Sequence, residues 1–154
     1  MKIYVFCNLV GAVTFVHSER CHRFLAGDLK EMSLDLRASA FDELVKLFLS
    51  DNHLSNLPPE LQNLQKLQLL ALDFNFFEEL PLVVCSFFQL NILYLGNNGL
   101  YRLPKELWQL TELETLWLET YFYTKFPPVI CELPNIKTMH LGYNQLHRLP
   151  AELE

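Results

Sequence analysis

The 154-residue sequence lacks any run of basic residues, and its 12 Lys and Arg are outnumbered by 18 Asp and Glu. The resulting formal net charge of −6 predicts an acidic surface, which argues against nucleic acid and anionic membranes as partners. No apolar stretch reaches the roughly 18 residues that a membrane-spanning helix needs. The sequence therefore predicts no transmembrane segment.

Catalytic signatures are also missing. The sequence contains no glycine-rich phosphate-binding loop, no Ser-His-Asp arrangement and no pair of carboxylates spaced for acid–base chemistry. His17, Cys21 and His22 have a spacing that suggests metal ligands, but no fourth ligand accompanies them, and zinc sites usually have four. We therefore expect no catalytic residue, no metal site and no cofactor.

What the sequence does contain is a spacing of 23 residues that runs through its last two thirds. Segments that begin at Leu44, Leu67, Leu90, Leu113 and Ile136 fit the pattern LxxLxLxxNxLxxLPxxLxxLxx. A fixed period of this kind is typical of a leucine-rich-repeat solenoid, in which each unit buries its apolar face only against its neighbours. The predicted fold is an α/β solenoid, a horseshoe segment with a parallel concave sheet and an irregular or short-helical convex side.

The period divides the chain into two regions. Residues 44–154 are predicted to form five repeats, namely 44–66, 67–89, 90–112, 113–135 and a truncated 136–154, and residues 1–43 an amino-terminal cap. Within the cap, Ser18 is suited to begin a short helix over residues 19–26. Met32, Leu34 and Leu36 alternate with polar residues, which predicts a cap strand that extends the sheet.

Both ends of the chain leave alternatives open. Residues 1–16 have the charge and apolar run of a signal peptide, cleaved after Ala12, but they also suit a buried cap segment. The chain stops within the fifth repeat without a polar capping helix. This suggests a fragment or a short isoform, and an uncapped carboxy-terminal edge through which copies could self-associate.

An asparagine follows the strand in four of the repeats, at Asn52, Asn75, Asn98 and Asn144. An amide both donates and accepts hydrogen bonds, so these residues are predicted to form a buried ladder that satisfies the backbone of adjacent turns. The fourth repeat has Tyr121 at this position, which we interpret either as a relaxed turn or as an exposed aromatic binding edge. We predict that this turn is the softest part of the array.

The concave face is the predicted binding surface. The residue between the two inward leucines of each strand should point to that face, and in four of the five repeats it has a ring: Phe48, Tyr94, Trp117 and His140. We predict that these four rings contact a protein partner, with Asp73 and Glu119 from the adjoining column selecting charge. The alternative is that the rings only stack on one another and stabilise the sheet.

The cysteines favour a reducing compartment. Cys85 and Cys131 occupy the same position of the second and fourth repeats, and at about 4.8 Å per repeat they should lie about 10 Å apart. A disulfide needs Cα atoms within about 7 Å, so this pair is not expected to bridge. The sequence also has no Asn-x-Ser/Thr glycosylation motif, and we predict an intracellular protein.

The repeat pattern and several longer strings of sequence resemble known families of leucine-rich-repeat proteins. The LxxLPxxLxxL repeat resembles the intracellular class that includes Ras-suppressor and Scribble-type proteins. The strings ELVKLFLSDNHLSNLPPEL at 43–61, NILYLGNN at 91–98, DLKEMSLD at 28–35 and LLALDFN at 69–75 resemble the cardiac leucine-rich-repeat-containing family, and the resemblance covers residues 15–154.

This resemblance implies a non-enzymatic scaffold of striated muscle with a cytoplasmic, cytoskeletal or sarcomeric location. The partners it implies are actin, α-actinin and a calcium-channel complex. Two other functions remain open on the same fold: a Ras-pathway or phosphatase-targeting adaptor, and a secreted recognition module.

Overall fold

In the computed structural model of the chain, the structure describes residues 3–8, 12–17, 20–25, 44–52, 54–120 and 123–151. For the first three of these ranges it describes the backbone alone. Ser18, the predicted cap strand at 32–36 and Tyr121 lie outside the described residues.

The described strands form one sheet in the order β3-β2-β1-β4-β5-β6-β7-β8. Strands β4 to β8 run parallel to one another, one in each repeat. The bounds of the eight strands are Ile3–Asn8 (β1), Ala12–His17 (β2), Arg20–Leu25 (β3), Leu44–Phe48 (β4), Leu69–Ala71 (β5), Ile92–Tyr94 (β6), Thr115–Trp117 (β7) and Thr138–His140 (β8).

The leucines of the repeat pattern form the core. Leu47, Leu70, Leu93 and Leu116 pair in register along the sheet, and each is 0% exposed. On the convex side, the chain returns through 3-10 helices at Pro59–Asn63, Leu82–Ser86, Lys105–Gln109 and Pro128–Glu132. This architecture confirms the predicted solenoid with a parallel sheet and short helical turns.

The Leu-Pro step positions each of these short helices. A proline precedes each helix with φ between −58° and −68°, close to the value that its ring imposes. The carbonyl of that proline accepts the first hydrogen bond of the turn, as when Leu61 N–H donates to Pro58 O at 3.2 Å. The pyrrolidine ring thus presets the direction of the return path.

The helix predicted over residues 19–26 is wrong, because residues Arg20–Leu25 form strand β3. Strands β1, β2 and β3 form an antiparallel meander, and β1 pairs in parallel with β4. Strand β2, AVTFVH, is rich in β-branched and aromatic residues that favour a sheet. It pairs with β3 along its whole length, from Ala12 opposite Leu25 to His17 opposite Arg20, and this ladder outweighs the local capping signal at Ser18.

A residue with a left-handed backbone conformation lies three positions after the end of each strand from β4 to β8. Asp51, Phe74, Asn97, Thr120 and Tyr143 recur every 23 residues and have φ between 54° and 67°. This conformation is costly for residues other than glycine. It reverses the chain so that the next residue, the ladder asparagine in four of the repeats, points back under the sheet.

The asparagine side chains hydrogen-bond the backbones of two successive repeats. Asn75 Nδ2 donates to Leu72 O of its own repeat and to Leu49 O of the preceding one, both at 2.9 Å. Its Oδ1 accepts from Leu54 N–H at 3.0 Å. Asn98 and Asn144 repeat the arrangement, since each donates to carbonyls 3 and 26 residues earlier. Asn52 and Asn75 are buried, and Asn98 and Asn144 are half-buried.

In the sequence of the fourth repeat, Tyr121 stands in place of the ladder asparagine and is followed by Phe122 and Tyr123. Of these three aromatic residues, the structure describes Tyr123. Its side chain is buried, with 8% of its surface exposed, and this burial raises the pKa of its hydroxyl to about 12. Its backbone N–H donates to Asn144 Oδ1 at 3.1 Å, so the fifth repeat still anchors this turn. Tyr123 therefore belongs to the core and not to an exposed binding edge.

We predict that Asn75→Ala lowers the free energy of unfolding by about 1–3 kcal/mol, because Leu54 N–H loses its acceptor. The carbonyls of Leu49 and Leu72 lose one donor each and keep those of Asn52 and Asn98. Urea denaturation would measure the change. Asn63→Ala is the matched control, since Asn63 is exposed and should change stability by less than about 0.5 kcal/mol. Equal losses in the two variants would contradict the ladder's role.

Cys85 and Cys131 are both thiols, and Cys85 is 2% exposed. Burial, followed by the nearby charge of Glu106, raises the pKa of the Cys85 thiol to about 12. The reactive thiolate is therefore scarce at neutral pH.

We predict that Cys85 in the folded chain reacts with iodoacetamide at pH 8 about a thousandfold more slowly than in the urea-unfolded chain, where a cysteine has a pKa of about 8.5. Because only the thiolate attacks, the folded-state rate should rise about tenfold per pH unit above pH 8. Peptide mapping by mass spectrometry would follow this cysteine separately from the others. Similar rates in the folded and unfolded chain would refute the shifted pKa.

Candidate protein-binding face

The strand register aligns the predicted contact residues. Phe48 pairs with Ala71, Ala71 with Tyr94, Tyr94 with Trp117, and Trp117 with His140. All five therefore lie in one column that crosses the concave face. We call this the ring column; its four ring-bearing members are half-buried.

Three of the rings are in contact. The Trp117 and His140 centroids lie 3.5 Å apart with 15° between the ring planes. Tyr94 lies on the other side of Trp117, with centroids 5.4 Å apart and the planes tilted by 36°. Trp117 thus has a neighbouring ring on each face, and a ligand on the concave side meets the edges of the rings.

Phe48 stands apart from this stack. Ala71 occupies the position between Phe48 and Tyr94 and is itself 4% exposed, so the column dips at the second repeat. The surface is a continuous stack across the third to fifth repeats, with Phe48 as a further ring on the first repeat.

The two predicted charge selectors have different surroundings. Asp73 accepts a hydrogen bond from the Ser50 hydroxyl, and burial raises its pKa although that hydrogen bond opposes the shift. Glu119 lies between Gly96 and Gly142, where an added Cβ would lie 3.7 Å from Glu119 Cβ and 3.4 Å from Glu119 Oε1, respectively. The Glu119 carboxylate therefore lies over Gly142, and neither neighbour in this column has a side chain that covers it.

This arrangement gives the concave face a specific chemistry. Glu119 can accept hydrogen bonds from a cationic group beside the edges of Trp117 and His140, whereas Asp73 already has an internal donor in Ser50. Carboxylates bond cationic donors more strongly than neutral ones. The face therefore suits a segment that presents apolar and basic side chains, with Glu119 as the accessible acid.

Sequence reasoning missed two other surface features. Phe74, Phe76 and Tyr143 are 57%, 59% and 83% exposed on the turns that follow the strands. Arg102, Lys125 and Arg148 share one repeat position immediately before the Leu-Pro or Phe-Pro step. Both features become visible once the sequence is stacked in rows of 23 residues.

Within the described ranges, no group of three His, Cys, Asp or Glu side chains could hold a metal ion. The side chains of His17, Cys21 and His22 lie outside the part that the structure describes. Among the residues described, no helix is both long and apolar enough to span a bilayer.

Residues 42–149 match the family model of the leucine-rich repeat region. The chain belongs to the leucine-rich-repeat family. These residues include every strand from β4 to β8.

A curated relative refines this assignment. The chain is similar to leucine-rich repeat-containing protein 10 of Mus musculus, at 52% identity over 42% of this chain and 29% of the relative. The resemblance drawn from the continuous strings is thereby confirmed. The matched part of the chain spans less than a third of the relative's length.

Solved structures show the same solenoid. A leucine-rich-repeat protein of Leptospira interrogans aligns with a TM-score of 0.59 at 32% identity, over 73% of this chain and 35% of that one. An internalin of Listeria monocytogenes aligns with a TM-score of 0.63 at 25% identity, over 73% of this chain and 32% of that one. Together with the family match, these likenesses confirm the fold class, and the leucine-rich-repeat solenoid is a protein-interaction fold.

We predict that Trp117→Ala lowers the free energy of unfolding by about 2 kcal/mol, because it removes two ring contacts on neighbouring strands. Trp108→Ala is the matched control, since Trp108 is 50% exposed on the convex side and its loss should cost less than about 1 kcal/mol. Thermal and urea denaturation would measure both variants. Equal effects would show that the ring stack adds no stability.

Proposed function

We propose that this chain is a non-enzymatic protein-interaction scaffold associated with the cytoskeleton of striated muscle, and that it binds its partner through the concave face. The observation that carries the proposal is the Tyr94-Trp117-His140 stack beside Glu119, an aromatic surface with an accessible carboxylate. Aromatic side chains with few rotatable bonds are typical of the central contacts of protein interfaces.

The shape of the face defines the segment that it accepts. A partner segment lies across the ring edges, places an apolar side chain in the dip at Ala71, and directs a Lys or Arg toward Glu119. Because Gly96 and Gly142 have no side chains, neither neighbour in this column shields the Glu119 carboxylate from that cation. Because the sheet is held by the core leucines beneath it, the surface needs little rearrangement to bind, which reduces the entropic cost of association.

The muscle assignment rests on similarity. The chain resembles the cardiac leucine-rich-repeat-containing family and is 52% identical to leucine-rich repeat-containing protein 10 over the aligned part. On this basis we propose actin and α-actinin as partners, a calcium-channel complex as a further one, and a location at the sarcomere. The chain uses no cofactor and catalyses no reaction in this function.

We predict that the chain co-sediments with filamentous actin or binds purified α-actinin, and that Tyr94→Ala,Trp117→Ala weakens the binding at least about tenfold, because hot-spot aromatics each contribute about 2 kcal/mol or more. Trp108→Ala,Tyr143→Ala removes the same two residue types from exposed sites away from the concave face and should leave the affinity within about twofold. Circular dichroism would verify that both variants fold.

The outcomes separate the parts of the proposal. Equal binding by the unmodified chain and both variants would keep the scaffold and reject the concave face. Binding of a small GTPase or a phosphatase in place of actin and α-actinin would instead support the adaptor function.

Reversing the accessible charge with Glu119→Lys should weaken binding to a basic segment, whereas an unchanged affinity would reject Glu119 as the selector.

A further inference from the structure

The residue immediately before each Leu-Pro or Phe-Pro step forms a second column, at one edge of the solenoid. From the first to the fifth repeat this column contains Asn56, Glu79, Arg102, Lys125 and Arg148. Three consecutive repeats thus place a cation at the same position of an otherwise acidic chain. We call Arg102, Lys125 and Arg148 the basic strip.

Backbone contacts show that these positions lie side by side. Glu79 and Arg102 form a parallel bridge between the second and third repeats. One residue earlier, Tyr101 N–H donates to Glu78 O at 3.3 Å, and His147 N–H donates to Thr124 O at 3.4 Å between the fourth and fifth repeats. Lys125 and Arg148 are therefore about 5 Å apart at the backbone.

The members of the strip differ in whether their charge is paired. Arg102 is paired with Glu79 at 2.7 Å, and the Tyr101 hydroxyl followed by Arg102 lowers the pKa of Glu79. Lys125 and Arg148 are exposed, and in the described part of the chain neither forms an ion pair. Two neighbouring cations thus remain available to an external anion.

An apolar groove lies beside these two cations. It has a volume of about 650 Å³, and its lining combines Lys125, His147 and Arg148 with Phe126, Leu149 and Pro150. Leu149 is 60% exposed. The site therefore offers two positive charges beside an apolar surface.

We propose that the basic strip and this groove bind an extended acidic segment of a partner protein in which acidic and apolar residues alternate. On one face of an extended segment, alternate residues lie about 6.5–7 Å apart, which the long side chains of Lys and Arg can reach from backbones about 5 Å apart. The apolar residues between them lie on the opposite side of the extended segment, where they cover Leu149 and Pro150. Inorganic phosphate or a lipid headgroup would leave that apolar surface exposed, so the groove favours a peptide.

This surface differs in sign from the concave face. The ring column presents a carboxylate to a basic segment, and the basic strip presents two cations to an acidic one. The chain can therefore hold two partners of opposite charge at once, which is what a scaffold that brings proteins together requires.

The test uses fluorescence anisotropy with the full chain and a labelled decapeptide of alternating Glu and Leu, and with a Lys-Leu decapeptide for comparison. We expect the Glu-Leu peptide to bind, with an affinity that falls as salt is raised. Lys125→Gln,Arg148→Gln should weaken its binding about tenfold. Lys66→Gln,Lys137→Gln, which changes the net charge equally at two other exposed sites, should change it less than about twofold.

Several outcomes would overturn the proposal. Absence of Glu-Leu binding, or equal weakening by both double variants, would show that the strip is not a site. Binding to phosphatidylserine vesicles without binding to the peptide would assign it to a membrane, and strip-dependent dimerisation in analytical ultracentrifugation would assign it to a second copy of the chain. Tyr94→Ala,Trp117→Ala should retain binding of the Glu-Leu peptide, so failure of the concave face and failure of the strip give different results.

Discussion

The parallel pairing of neighbouring repeats is the constraint on which the rest of the molecule depends. Three residues of each strand from β4 to β7 pair with the residues 23 positions later. The asparagine amides hold the following turns to the same register through bonds to two repeats. A buried amide left without partners costs about 1–3 kcal/mol, so a slip of register would be penalised along the whole array. Because the register is fixed, residues at the same position of successive repeats lie next to one another on the same surface.

This alignment explains why the chain can present opposite charges on separate surfaces. The column two positions after the ring-bearing residues contains Asp73 and Glu119 on the concave face, and the column two positions before the prolines contains Arg102, Lys125 and Arg148 at the edge. The core leucines between them are 0% exposed for the most part, and they fix the two surfaces relative to each other. A side chain changed in one column leaves the other column in place, because the strands and not the surface residues set the register.

The period of the sequence was sufficient to predict the parallel sheet, the inward leucines and the alignment of Phe48, Tyr94, Trp117 and His140, because these depend only on repeat position. It was insufficient for strand β3, since the segment after Ser18 carries a local helix signal and its pairing with β2, just before it in the chain, lies outside the 23-residue period. The difference between Asp73 and Glu119 depends on a hydroxyl one repeat away and on two flanking glycines. The basic strip was missed because charge was sought in consecutive residues, whereas a solenoid brings together residues that are 23 apart.

The same registration bears on how such a chain can change in length. When a whole 23-residue unit is lost or gained, each strand still pairs with a strand and each asparagine still bonds the turn of a neighbouring repeat. Every column therefore stays continuous, and only the number of residues in it changes. Loss of a single residue inside a strand would instead turn the following side chains to the opposite face, because successive strand residues alternate. The array can thus lengthen or shorten a binding surface in steps of one repeat without redesigning its core. In this fold, the number of repeats sets the length of a surface, and the side chain that each repeat contributes to a column sets the chemistry of that surface.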